Sequence, residues 1–423
     1  QRDVVCVWLD YKKAFDSVPH DWLLESLRLA KVPELLVNAI ANLTQNWATR
    51  IYLSSTKGCL QTDVIKYRKG IFQGDSLSVL LFILSLNPLS HLLKTRKGYA
   101  LGKTDERNKE INHLFFVDDL KLFASNMNEM KHLLDVVTNF SRDIGMEFGQ
   151  AKCAYVVVKH GKVVGTKEKL EMNGLILSAI GDNEVYKYLG FDETISYDGP
   201  LNKEKVAREY FRRVRKIWTS ELSAVHKAIA HNSFALPVLV PTFGLLAWNI
   251  KELEDVDVKT RMLLTATGNL HMNGDVDRLY LPRVDGGRGL KSVFGAYQVR
   301  IITLYNHLLK ASERNAYLRN VITNEQDGII RIAEQFTRGL NILHDYPVTP
   351  RDAGKEANRA LNNKRKSSLR AKVVHGYFVR EMERKPDVDT HKSLSWSKHA
   401  SMTSHFEGFL HAVRADDRGP ARS

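Results

Sequence analysis

The sequence predicts an α+β fold: a mixed unit over residues 1–200, followed by a helical and strongly basic remainder. Three observations carry that prediction. Short apolar runs alternate with helical periodicities as far as about residue 200, helical periodicity alone continues from Lys203, and the charge turns basic at the same point. A chain of 423 residues is long enough for two or three domains, each with its own core. Four segments are expected: 1–200 mixed, 201–345 helical and basic, 346–371 an exposed helix or linker with few apolar residues, and 372–423 a mostly helical C-terminal region.

Val4–Leu9 is a short apolar run that ends at Asp10, the pattern of a buried strand. Ser17 as a cap and Pro19 in the first turn start a helix carrying Trp22, Leu23, Leu27 and Leu29. Residues 75–93 read as a second, long buried helix. Residues 113–124 read as two apolar strands with Asp118 and Asp119 at the hairpin tip. Leu133, Leu134, Val137, Phe140 and Ile144 repeat at helical spacing, and residues 154–158 form a further strand. Beyond them Lys203, Lys205, Arg208, Arg212, Arg213, Arg215 and Lys216 crowd a few turns of helix, with Tyr210, Phe211 and Trp218 interleaved. A charge run is usually a solvated face. Here one sign and the aromatics tilt the reading toward contact with a nucleic-acid backbone. A second basic stretch covers residues 351–385, including Lys364, Arg365 and Lys366.

The formal net charge of +14 points to a polyanionic partner, nucleic acid before a membrane surface. Cys6, Cys59 and Cys153 are scattered and odd in number, which excludes a disulfide framework and an all-cysteine zinc site. Each is expected to be a small buried hydrophobe. The strongest apolar run, residues 79–86, is far short of the roughly 20 residues of a spanning helix, so no membrane partner is expected.

Three acids carry the chemistry. Asp10 closes an apolar strand, and Asp118 and Asp119 sit at a hairpin tip. Burying charge is costly, so carboxylates gathered there need a counter-ion. Two Mg²⁺ ions about 3.5–4 Å apart would supply it, with Mn²⁺ as a substitute, and oxygen ligands suit them. Taken alone, Asp118–Asp119 reads better as a turn dipeptide.

The neighbouring motifs change that balance. Leu9-Asp10-Tyr11-Lys12-Lys13-Ala14-Phe15-Asp16 resembles the first metal-binding motif of reverse transcriptases. The stretch from Gly70 through Gln73 and Gly74 to Ser78 resembles their substrate-binding motif, and Phe116-Val117-Asp118-Asp119 their aromatic-x-Asp-Asp box. Gly145-Met146 followed by Lys152 resembles the next motif, and Tyr188-Leu189-Gly190 the primer-grip turn. Five motifs in this order are specific where one is not. Farther on, Leu279-Tyr280-Leu281-Pro282-Arg283 with Gly286-Gly287-Arg288-Gly289-Leu290, then Lys372-Val373-Val374-His375-Gly376, resemble non-LTR retrotransposons of the class with a restriction-like endonuclease.

The resemblance implies a polymerase palm, an antiparallel sheet with packed helices, over residues 1–200, and a helical thumb and connector over 201–345. It implies an RNA-directed DNA polymerase that takes an RNA template, a DNA primer and deoxynucleoside triphosphates. Asp10 and Asp118 would bind both metals, with Asp119 in support. The Tyr11 carbonyl would complete the nucleotide-side shell. Phe15 would lie under the incoming sugar and exclude a 2′-OH, although without the motif it reads as a core aromatic. Gln73 and Gly74 would form a turn under the nascent base pair, glycine allowing close backbone approach. Lys152 is a candidate general acid for the pyrophosphate and reads equally well as an exposed lysine. Arg208, Arg212, Arg213, Arg215 and Lys216 would hold the nucleic-acid backbone.

The family's fingers motifs lie upstream of its first catalytic acid, and a Cys-Cys-His-Cys knuckle and endonuclease lie downstream; these 423 residues carry neither. The sequence is therefore expected to be a fragment of such a protein, intracellular, in a nucleus or ribonucleoprotein particle. A catalytically inactive nucleic-acid-binding remnant is the alternative. Phe15 argues against an RNA polymerase, and the Gly-Gly-Arg-Gly phrase against an intron maturase.

Overall fold

The computed structural model describes residues 3–55, 58–100, 110–164, 168–181, 184–193, 199–315, 318–319, 322, 328–342, 349–398 and 402–415. The chain divides into two compact units, Gln1–Tyr197 and Asp198–Ser423.

The first unit is built on one sheet. Its strands are β1 (Val4–Leu9), β2 (His113–Phe116), β3 (Asp119–Ala124), β4 (Ala154–Lys159), β5 (Lys162–Val163), β6 (Leu170–Met172) and β7 (Leu175–Ala179). The order across the sheet is β6-β7-β4-β1-β3-β2, with β5 on β4. Every pairing is antiparallel except β4 with β7. A separate hairpin joins β8 (Tyr186–Tyr188) to β9 (Phe191–Glu193).

Side chains alternate across a strand, so β1 and β3 each show one face to the core and one away from it. Val5, Val7 and Leu9 with Leu120, Leu122 and Ala124 are buried in the core. The other face carries Cys6, Trp8 and Asp10 beside Asp119, Lys121 and Phe123, because Leu9 pairs with Leu120 and Trp8 with Lys121. The core face packs against α1 (His20–Leu29), α2 (Glu34–Asn46), α3 (Ser76–Lys94) and α4 (Met127–Asp143). The Asp75 carboxylate accepts from the Leu77 amide to start α3, and Asn126 caps α4 through the Glu129 amide.

In the second unit α5 (Gly199–Trp218) buries Tyr210, Val214 and Trp218, one side chain per turn. After α6 (Ala224–Ala230), α7 (Ile250–Ala266) opens on a capping box of Asn249 and Glu252. Asp257 on α7 accepts from the Val293 and Phe294 amides, at 2.7 and 3.0 Å, where α9 (Val293–Ser312) begins. Between them α8 (Val276–Tyr280) leads into the Gly-Gly-Arg-Gly turn. Gly286 and Gly289 have φ of 76° and 73°, and a Cβ on Gly287 would lie 2.1 Å from the Leu281 carbonyl oxygen, so the turn requires glycine. The unit continues with α10 (Ile329–Gly339), α11 (Pro350–Ala371), α12 (Tyr377–Arg384) and α13 (Ser404–Ala415). Glu407 of α13 is fully buried and takes Arg283 at 2.6 Å and Arg288 at 3.5 Å.

Four expectations are corrected. Of the exposed helix or linker expected over 346–371, residues Pro350–Ala371 are a helix, and it is not exposed on all sides, since Ala353 and Ala357 lie in the second core. Ser17 caps nothing: its hydroxyl closes the turn Ala14–Ser17 on the Ala14 carbonyl, and Pro19 is the cap of α1. Cys59 is exposed, on a hairpin of Tyr52–Ser55 with Gly58–Gln61. The apolar run at 79–86 continues through Asn87 and Pro88 as α3, the one helix among the described residues long and apolar enough to cross a membrane. Leu81, Phe82, Leu86, Leu89 and Leu93 of that helix are buried in the first core.

Candidate active site

The sheet brings the acids together. Leu9 and Leu120 are the last pair of the β1–β3 ladder, and the next step of that register sets Asp10 opposite Asp119. Antiparallel neighbours have Cα atoms about 4.5–5.5 Å apart, with side chains on the same face. Asp118 precedes Asp119 in the tight β2–β3 turn, where Val117 has φ of 58°. A β-branched residue in that region is strained. All three acids are half-buried. Burial first, then the charges of Asp118 and Asp10, push the Asp119 carboxyl above its ordinary value, while Lys152 pulls it down.

Asp10 is held from behind. Its carbonyl accepts from the Gly149 amide at 2.8 Å and its amide faces the Cys153 sulfur at 3.5 Å. A Cβ on Gly149 would stand 2.9 Å from the Asp10 carboxylate, so a side chain there would push that carboxylate aside. Lys152 Nζ lies 3.2 Å from Asp10 Oδ2, and the lysine is 72% exposed. A cleft of about 810 Å³ opens beside the pair, lined by Tyr11, Lys12, Lys13, Arg142 and the loop from Gly145 to Lys152.

Among the described residues no three acid, histidine or cysteine side chains close into a ready metal shell. The Asp10 carboxylate is turned to Lys152 instead. The donor chemistry suits a hard divalent cation: Asp10 and Asp119 share one face of the sheet, Asp118 adjoins, and the charges of Asp118 and Asp10 both raise the Asp119 carboxyl.

The other expected residues are placed as follows. Tyr11 is buried, stacked on Phe148 at 4.9 Å and bonded to Ser141 at 2.8 Å, so only its backbone is offered to a ligand. Phe15 is half-buried and stacked on Phe82 at 4.6 Å. Gln73 and Gly74 are an exposed turn just ahead of the α3 cap, and Gly74 has φ of 94°. Tyr188, Leu189 and Gly190 make the β8–β9 turn, with Leu189 and Gly190 at φ of 49° and 84°.

That hairpin is tied to the face bearing the acids by residues the motif reading missed. Lys121, 8% exposed, pairs with Glu193 and lies over the rings of Trp8 and Tyr188 at 4.8 and 5.3 Å. Trp8 also donates to Glu193, at 3.1 Å, and stacks on Tyr186 at 4.9 Å. Lys121 is two residues from Asp119, and Trp8 is two residues from Asp10. A lysine between Leu120 and Leu122 in a buried strand was the available signal.

A family model described as reverse transcriptase (RNA-dependent DNA polymerase) matches residues 1–192. Those residues are a reverse transcriptase domain. The chain is 26% identical over 309 residues to the Retrovirus-related Pol polyprotein from type-1 retrotransposable element R2 of Nasonia vitripennis, covering 72% of this chain and 28% of that protein. It is 25% identical over 344 residues to the Pol polyprotein from type-2 retrotransposable element R2DM of Drosophila melanogaster, covering 77% of this chain and 30% of that protein. The chain thus spans less than a third of either relative. A telomerase from Candida tropicalis in complex with a TWJ fragment of telomeric RNA superposes at a TM-score of 0.33 with 12% identity, over 79% of this chain and 49% of that one. The family model names an RNA-dependent DNA polymerase, and both relatives are Pol polyproteins of R2 retrotransposable elements.

On the basic helix α5, Arg212 and Arg213 both bind Glu209 at 2.6 and 2.7 Å, which holds that carboxyl down at about 2. Arg208 pairs with Glu204, while Arg215 and Lys216 are exposed with no carboxylate in ion-pair range among the described residues.

Proposed function

We propose that this chain copies RNA into DNA, adding deoxynucleotides to a primer 3′-OH at a site made of Asp10, Asp118 and Asp119. The observation that carries the proposal is the register of β1 and β3, which leads Asp10 and Asp119 out of the sheet on one face, with Asp118 adjoining. Two Mg²⁺ ions held by these acids would activate the attacking oxygen and stabilise the leaving pyrophosphate. Asp10 and Asp118 would hold both ions, with Asp119 in support. The Tyr11 carbonyl would complete the nucleotide-side shell. Lys152 exchanges Asp10 for the pyrophosphate and gives it a proton.

Phe15 closes the sugar pocket, its ring braced by Phe82. Gln73 and Gly74 bend beneath the new base pair. Tyr188, Leu189 and Gly190 press on the primer end, at a height set by the Lys121–Glu193 tie. Arg208, Arg212, Arg213, Arg215 and Lys216 follow the backbone of the RNA–DNA product. The test is a Mn²⁺ titration of the chain with template, primer and dNTP, followed by electron paramagnetic resonance. Two bound ions per chain, lost in Asp118→Asn, support the site; equal binding by the variant refutes it.

A further inference from the structure

The outer side of α11 and the turn after it form a surface that the polymerase reading leaves unused. At 100° per residue, Arg351, Lys355, Arg359, Lys366 and Arg370 fall in one stripe about 100° wide. All five are exposed. Beyond Glu356 the helix contains no further acid, and Asp352 sits in its first turn. The opposite side is fastened: Ala353 and Ala357 are buried in the second core, and Arg365 bonds Ser292 and lies over the Tyr280 ring at 5.1 Å.

Lys355, Lys366 and Arg370 have partners in Asp352, Asp285 and Glu383, at 3.4, 3.7 and 3.2 Å. These pairs are open to water, so a polyanion can displace them. Arg351 and Arg359 have no carboxylate in ion-pair range among the described residues.

The turn at 372–376 is built to keep one shape. Lys372 Nζ reaches Asp275 at 2.5 Å and Asp277 at 2.8 Å. The Arg380 guanidinium donates to the carbonyls of Arg370, Lys372 and Val373 at 2.5, 2.8 and 2.8 Å. A Cβ on Gly376 would lie 2.5 Å from the carbonyl oxygens of Leu369 and Lys372. What this braced turn presents is Val373, 81% exposed, with Tyr377 close behind at 44%. A valine held out in water by so many bonds packs nothing in its own unit.

We propose that the α11 stripe and the 373–377 turn are a second nucleic-acid-binding surface, which grips the backbone of a duplex with the stripe and sets Val373 and Tyr377 against its sugar and base edges. At 1.5 Å per residue the stripe from Arg351 to Arg370 is about 28 Å long, enough for several phosphates in succession. Cations along a stripe bind the backbone of any sequence, and apolar side chains at one end fix where the duplex lies. The surface requires no metal and no catalysis, so its test separates from that of the polymerase site.

The test measures binding of the 423-residue chain to two short fluorescent DNA duplexes of unrelated sequence, in EDTA, across a salt series. Arg351→Ala with Arg359→Ala is expected to weaken binding to both duplexes alike and to lower the slope of log affinity against log salt by about 1.8, since each lost phosphate contact removes about 0.9. The corresponding Lys variants should keep the slope, which guards against a folding defect. Val373→Ser should weaken binding with the slope unchanged. An unchanged affinity and slope in the double alanine variant overturns the proposal. So does loss of binding to anionic lipid vesicles in that variant with duplex binding intact, which would make the stripe a membrane surface.

Discussion

Lys152 and Asp10 form an ion pair, Nζ to Oδ2 at 3.2 Å, at the edge where a divalent ion would have to bind. The lysine is mostly in solvent, so the pair is weak and releasable. Lys152→Met should therefore raise the affinity for Mn²⁺ in a direct titration. The same variant should slow nucleotide addition by about 10²–10⁴-fold, the usual loss of a general acid. Unchanged addition would leave Lys152 as an exposed lysine with no part in the chemistry.

Asp119 carries the pH signature of the site. Its carboxyl is raised by burial and then by Asp118 and Asp10. A raised folded value means that the native chain binds this proton more tightly than the unfolded one, so ionised Asp119 costs stability at neutral pH. That cost is relieved as pH falls toward the folded value. Asp118→Asn should move the Asp119 titration, followed by carboxyl carbon resonances, down toward the ordinary range. A titration that stays in place would contradict the convergence of the acids.

Phe15 stacks on Phe82, so its replacement affects both packing and selection. Phe15→Val should cost about 1–3 kcal/mol of stability from lost ring volume. It should also raise ribonucleotide use relative to deoxynucleotide use by tenfold or so, for about 1.4 kcal/mol of lost discrimination. The ratio in single-nucleotide additions is the measurement, because a folding defect alone lowers both rates together.

The Lys121–Glu193 tie predicts coupling between the grip hairpin and the catalytic strands. Removing one partner leaves the other charge beside aromatic rings with no counter-charge. Lys121→Met and Glu193→Gln should each destabilise the chain by about 1–3 kcal/mol in urea titrations, less than a fully buried pair because Glu193 is partly exposed. The double variant should cost less than the sum of the two. Additive losses would show that the two residues do not act as a pair.

Glu209 neutralises two arginines of α5. Glu209→Gln frees Arg212 and Arg213, so duplex binding should tighten and its salt slope steepen. Charge reversal at Arg215 should act the opposite way on unrelated sequences alike. Weaker binding in Glu209→Gln would mean that α5 is a solvated face only.

Much of the site was legible because its residues are local. A strand that ends in acid and a hairpin with two acids each announce themselves, and the sheet supplies the rest through register. Gly149, Cys153 and Glu193 were not legible in that way. They meet Asp10 or Lys121 across long stretches of chain, and no periodicity encodes such a meeting. The exposed helix or linker expected at 346–371 is a helix fastened on one side, and that side was hidden for a different reason. Of the three buried residues of α11 two are alanines, Ala353 and Ala357, and with Leu369 they are lost among seven lysines and arginines.

The central claim is that Asp10, Asp118 and Asp119 form the centre of RNA-templated DNA synthesis. The most direct measurement is single-turnover addition of one deoxynucleotide by the 423-residue chain to a DNA primer on an RNA template, with Mg²⁺ and then with EDTA. The account predicts addition that requires the metal and falls at least about 10³-fold in Asp118→Asn, a loss of roughly 4 kcal/mol of transition-state stabilisation. Addition that persists in EDTA, or at the same rate in Asp118→Asn, would contradict it.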